Sequence, residues 1–251
     1  MLHVVKDLER LKIDAIDGDI GYVYDFYFDD VTWTTRYLVA DTGKWLTGRR
    51  VLLSPNSVEK PDFKEKELSV NLKREQIESS PSISEDEPVS LQHEKLLGDY
   101  YDWPAYWSMD PALQSMFAMK DDEHNKDVSS GDPHLRSIRE VRSYDVEALD
   151  GDIGVVDSFI IDDNNWNIKY LVIDTRKWLH WLPGGKFVLI SPKWIDKVDY
   201  QSSKIFLSVD KKTVEEIPEF EHAKDIDMKF ENKLYDCYRA FLNRKQEHTP
   251  R

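Results

Sequence analysis

The chain repeats itself, and that repeat is what most restricts its fold. Shifted by 133 residues, "DAIDGDIGYVYDFYFDDVTWTTRYLVADTGKWL" (14–46) lies over "EALDGDIGVVDSFIIDDNNWNIKYLVIDTRKWL" (147–179), with 19 of 33 positions identical. The match resumes at a shift of 137, where "VLLSPNSVEKPDF" (51–63) meets "VLISPKWIDKVDY" (188–200). The four extra residues of the second copy fall in "HWLPGGK". A single duplication describes two like units rather than a solenoid.

The repeated pattern has the period of strands. Leu68, Val70 and Leu72 alternate, as do Ile205, Leu207 and Val209, which is the signature of a half-buried strand. "RYLVADT" and "KYLVIDT" are short, β-rich and bounded by turn residues. Val23 and Phe26 fall on opposite parity, as do Val156 and Phe159, so the pattern predicts a bulge in both copies. Each unit then has five or six short strands, and a small sheet of that kind is stable when it curls closed. The fold class is therefore mainly β: two small barrels, each followed by a short helix or helices. "LKREQIESSP" and "DKKTVEEIP" predict those short helices. "HEKLLGDYYDWPAYW" (93–107) aligns with "FENKLYDCYRAFLN" (230–243), so a trailing aromatic helix belongs to the repeat. In its second copy Leu234, Tyr238, Phe241 and Leu242 form an apolar face. The division along the chain reads as a first barrel over 1–78, an acidic linker with an aromatic helix over 79–134, a second barrel over 135–217 and a helical tail over 218–251.

Charge narrows the partners. The net charge is −14, but residues 79–134 carry 3 basic and 12 acidic side chains, while both flanks are nearly balanced. An acidic chain is repelled by phosphate backbones and anionic membranes, which makes nucleic acid a poor partner. No run approaches the roughly 20 apolar residues of a membrane span, and charges stand where a signal peptide needs its apolar core. One cysteine, Cys237, forms no internal disulfide and points to a reducing, cytoplasmic compartment.

Several constellations invite chemistry. "DGDIG" at 17–21 and 150–154 reads first as a tight turn, with a weak cation site and a catalytic acid pair as alternatives. A helix–loop–helix calcium loop fails, because the twelfth residues are Phe28 and Ile161 where a glutamate is required. Asp29-Asp30 and Asp162-Asp163 read as exposed strand ends, and paired carboxylates that hold a metal or share a proton are the alternative. The seven histidines form no zinc spacing, and no P-loop, GxGxxG or GxSxG occurs. The expectation is no catalytic residue, no metal and no cofactor. Trp45 and Trp178 recur and are expected to plug the barrels. His180, Trp181 and Leu182 belong to the longer loop of the second copy alone; Trp181 suits packing onto its own or the other barrel, or, as exposed tryptophan beside "PGG" and together with Trp178, His180 and Leu182, a protein contact. Trp103, Tyr106 and Trp107 in "YYDWPAYW" suit either a partner or packing on a barrel.

Both copies resemble PRC-barrel domains, on "DGDIGYVYDFYFDD…RYLVADT…VLLSP" and "DGDIGVVDSFIIDD…KYLVIDT…VLISP". The segment "SLQHEKLLGDYYDWPAYW" is similar to that of bacterial proteins with two such domains. The family includes the cytoplasmic part of the photosynthetic reaction-centre H subunit and the C-terminal domain of a ribosome maturation factor. The resemblance implies compact all-β modules that bind and scaffold, with no catalytic set to carry over. It implies a protein partner, with a homo-oligomer as one form of it. A peripheral accessory factor of a photosynthetic or respiratory membrane complex, and a ribosome or RNA-processing auxiliary factor, are the other readings. The chain departs from the first branch in lacking a membrane anchor. It departs from the second in lacking a further N-terminal barrel and in being acidic.

Overall fold

A computed structural model describes residues 1–46, 48–80, 134–176 and 185–247. The protein is mainly β, with one six-stranded and one seven-stranded sheet. Two compact units form, and only one of them is a single stretch of chain. One contains residues 8–137, the other 1–7 together with 138–251.

The 8–137 unit is built on β2 (Lys12–Ala15), β3 (Gly18–Asp29), β4 (Thr34–Asp41), β5 (Arg50–Leu53) and β6 (Glu67–Ser69). They lie in the order β5-β4-β3-β2-β6, with β2 and β6 parallel and the other neighbours antiparallel. The twelve residues of β3 make it long enough to serve two partners along one edge. Its first half pairs with β2, and Tyr27–Asp29 pair with β7 (Leu135–Ser137). The register slips between Val23 and Asp25, the bulge that the parity of Val23 and Phe26 predicts. Phe26, Phe28, Leu38, Leu53 and Leu68 are fully buried at the centre. A short helix, α2 (Arg74–Glu78), follows and buries Ile77.

The other unit repeats this plan. It contains β8 (Asp145–Ala148), β9 (Gly151–Asp162), β10 (Ile168–Asp174), β11 (Phe187–Ile190), β12 (Ile195–Asp199) and β13 (Lys204–Leu207), in the order β11-β10-β9-β8-β13-β12. The slip recurs between Val172 and Ile173. Ile160–Asp162 of β9 pair with β1 (Leu2–Val4), from the other end of the chain. Each of β1 and β7 runs straight into a helical turn, α1 (Val5–Leu8) and α3 (Ile138–Val141), and the chain passes from one unit to the other there.

The repeat reaches the backbone. Among the described residues, the non-glycine positions with positive φ fall into matched pairs: Arg10 with Ser143, Trp33 with Trp166, and Lys66 with Ser203. Left-handed backbone is costly for residues with a Cβ, so its recurrence at aligned positions marks the same corners in both copies. "VLLSP" and "VLISP" also recur as one device. Ser54 and Ser191 accept from the amides of Asn56 and Lys193, and proline opens each 3-10 turn.

The 138–251 unit adds α4 (Lys211–Glu216) and α5 (Met228–Glu247). Asp210 caps α4, accepting from the Thr213 amide at 2.8 Å. α5 docks through buried Leu234 and Phe241, and Tyr238 stacks on buried Trp194 at 5.0 Å. Leu242, expected on that apolar face, is instead exposed. Its neighbour in sequence, Phe241, already fills the contact, and adjacent helical residues point about 100° apart. The Tyr170 hydroxyl donates to Glu231 at 2.7 Å. Burial, then the Glu231 carboxylate, push the Tyr170 phenol far up, so it stays a donor. The aromatic helix expected over 93–107 lies outside the described residues.

Candidate functional site

The DGDIG hairpins are corners with glycine at the points where no other residue fits. Gly18 and Gly151 have φ of +130° and +122°. A Cβ on Gly21 would stand 1.9 Å from the Asp41 carbonyl oxygen, and one on Gly154 would stand 2.2 Å from that of Asp174. The two aspartates of each motif diverge. Asp17 accepts from the Arg74 amide and Asp150 from the Lys211 amide, both at 2.8 Å. Those amides open α2 and α4, so each hairpin supplies an anion to the first turn of a helix that is remote in sequence. Asp19 turns the other way, 2.5 Å from the Lys12 ammonium. Hydrogen bonding to Lys12 holds its carboxyl below the usual range. Before each corner stands an apolar residue that is left in water: Ile16 is 62% exposed and Leu149 60%.

Beside each hairpin, a loop is closed at its root. In the 8–137 unit the Thr42 hydroxyl donates to the Arg49 carbonyl at 2.5 Å. Arg49 reaches the end of α2, donating to the carbonyls of Glu78 and Ser80. In the other unit the Thr175 hydroxyl donates to the Lys186 carbonyl at 2.8 Å. The Lys186 ammonium donates to the carbonyls of Glu215 and Ile217, at the end of α4. A cation on the final carbonyls of a helix satisfies acceptors the helix leaves open. The second copy's four additional residues lie between these anchors.

Trp45 sits in the first of these loops. The expectation that it plugs the barrel is corrected: it is half-buried, and the Arg74 guanidinium lies 4.7 Å from its ring centre. A barrel already filled by Phe26 and Phe28 needs no indole, and a cation over the ring holds it at the surface. Gly18 lies against the Arg74 side chain as well. Ile16, Asp17, Trp45 and Arg74 therefore cluster at one end of this unit, where hairpin, helix and loop meet.

The aspartate pairs correct a second expectation. They are not exposed strand ends. Asp29 is buried and accepts from the amides of Val31 and Thr32 and from Arg36 at 3.3 Å. Asp30 accepts from His134 at 3.0 Å and Arg136 at 3.2 Å. In the other unit Asp163 meets His3 at 2.9 Å. So the first carboxylate of each pair shapes its turn, while the second grips the strand arriving from the far half of the chain. Among the described residues no group of histidine, cysteine, aspartate and glutamate is arranged to hold a metal ion.

Residues 133–214 match the family model of the PRC-barrel domain. The second half of the chain carries a PRC-barrel domain. The matched PRC-barrel stretch begins with β7, yet in the structure β7 completes the other unit's sheet, and β1 stands on β9 in the aligned register. Comparison with curated proteins finds no match. The contact residues read from sequence around the PRC-barrel, Trp178, His180, Trp181 and Leu182, lie outside the described residues, as do Trp103, Tyr106 and Trp107. The anchors of the PRC-barrel loop, Thr175 and Lys186, are described; in the sequence Asp41-Thr42 and Asp174-Thr175 read only as strand ends with turn-capping residues, and Lys186 carries no mark. The aligned cations Arg49 and Lys186 and aligned threonines Thr42 and Thr175 are the signal that would have found them. Ile16 and Leu149 were missed because a lone apolar residue next to a turn has no periodicity to mark it.

Proposed function

We propose that the protein is a non-catalytic interaction module, a tandem of two PRC-type barrels that scaffolds a protein partner through the ends carrying the rooted loops. The observation that carries this reading is the matched exposure of Ile16 and Leu149 beside loops fastened by the same two bonds. Exposed apolar groups on a rigid root suit protein contact, because little order is lost when they bind. In both copies the aspartates that looked chemical are engaged in capping helices, shaping turns and gripping strands. The tandem rests on the internal repeat and the common strand order. With one cysteine in the chain, a reducing compartment suits it. No helix among the described residues is long and apolar enough to cross a membrane.

The test is affinity capture from cells with the intact chain, Ile16→Asp, Leu149→Asp and Trp181→Ala, each variant first shown to keep the parent's melting temperature. A specific partner retained by the intact chain is lost from at least one of them. An unchanged set of partners across all three overturns the reading.

A further inference from the structure

Two donor strands and two acceptor edges are built to one pattern. Leu2, His3 and Val4 stand opposite Asp162, Ile161 and Ile160. Leu135, Arg136 and Ser137 stand opposite Asp29, Phe28 and Tyr27. These registers coincide under the 133-residue shift. Each half of the chain gives one strand and receives one: the first half gives β1 and takes β7, and the second gives β7 and takes β1.

The pairing is coded by side chains. Asp25 is buried on β3, where it accepts from the Phe26 amide and the Ser137 hydroxyl. At the aligned places in the other unit stand Ser158, also buried, and Val4. Were β1 to lie on β3, Val4 would face the Asp25 carboxylate with no hydroxyl to offer, and a buried carboxylate that loses a donor is left less well solvated than in its own pairing. The code therefore fixes which kind of half completes which. It does not distinguish the chain's own half from the same half of another copy.

We propose that the strands also exchange between copies, giving an intertwined homodimer in which the first half of one chain completes the second half of the other, and reciprocally. Every ladder bond, the Asp25–Ser137 pair and the grips of Asp30 and Asp163 are met equally in both forms. Only the local concentration set by the covalent connection favours the single chain, so the dimer grows with protein concentration wherever the halves have been separated.

Two full-length versions with different tags, both Cys237→Ser, are unfolded in urea, mixed and refolded over a range of concentrations. One carries Val4→Cys and the other Ile160→Cys, facing positions of β1 and β9. The expected result is a dimer by light scattering, whose ratio to monomer rises roughly tenfold for a tenfold rise in free monomer, as mass action requires. It contains both tags and becomes disulfide-linked on oxidation. Mixing without unfolding yields neither. The same tag exchange with unsubstituted chains guards against a substitution that weakens the sheet. Monomer at every concentration, or a dimer that never links position 4 to position 160, overturns the proposal.

Discussion

At the scale of single residues, the backbone decides more than the titratable groups do. Gly21 and Gly154 pass so close to a neighbouring carbonyl that no side chain fits, and their φ of +139° and +149° lies where only glycine is at ease. Gly21→Ala is expected to cost at least about 3 kcal/mol. Gly43→Ala, at φ +52° with nothing within 4 Å, is expected to cost about 1 kcal/mol. For a chain of this size the first lowers the melting temperature by roughly 6–12 °C and the second by roughly 2–4 °C. Equal effects in calorimetry would refute the close approach as the cause. Asp17→Ala and Asp150→Ala each remove an anion from a helix start, and denaturation should show a loss of about 1 kcal/mol apiece.

Among the elements, α4 and α5 are coupled through Asp210. Burial, the largest influence on this carboxyl, acts upward. Hydrogen bonds from the Thr213 side chain and backbone, together with Arg244, outweigh it and leave the group below its usual range. A folded pKa below the unfolded one gives stability that is present above the unfolded value, near about pH 4, and is lost as pH falls through the folded value. The urea midpoint of the intact protein should fall more steeply below about pH 4 than that of Asp210→Asn; parallel curves would exclude Asp210 as a contributor. Trp194→Ala should free α5, seen as loss of helical circular dichroism and a loss of about 3–5 kcal/mol. The strands and helices of this unit were legible because Ile205, Leu207 and Val209 alternate and Asp210 precedes a helical pattern that ends at a proline. The bulge was legible from the parity of Val156 and Phe159. The Trp194–Tyr238 stack was not, because its partners meet through the fold and share no local period.

For the molecule as a whole, the exchange of β1 and β7 is what sequence could not disclose. Both strands have the same length, the same leucine and the same register under the 133-residue shift, so local pattern fits either edge equally. Asp25 with Ser137 helps break the tie, through a contact between residues far apart in the chain. Removing residues 1–7 should leave the β9 edge open, and an open edge invites association. The shortened protein is expected to aggregate on warming, while the parent stays dispersed by light scattering. Fragments 1–80 and 134–251, produced separately and mixed, should co-elute, because each lacks a strand that the other carries. Independent elution would show that the halves do not need each other.

The threonine and basic residue at the foot of each aromatic loop have a consequence for how such a gene can change. Chain length between those two fastenings varies at little thermodynamic expense, since doubling a loop's length adds only about 0.6 kcal/mol to the cost of closing it, and the strand pairing that flanks it is the same in both copies. The second copy is four residues longer there. New recognition can thus be written into one barrel of the pair while its sister keeps the shorter outline.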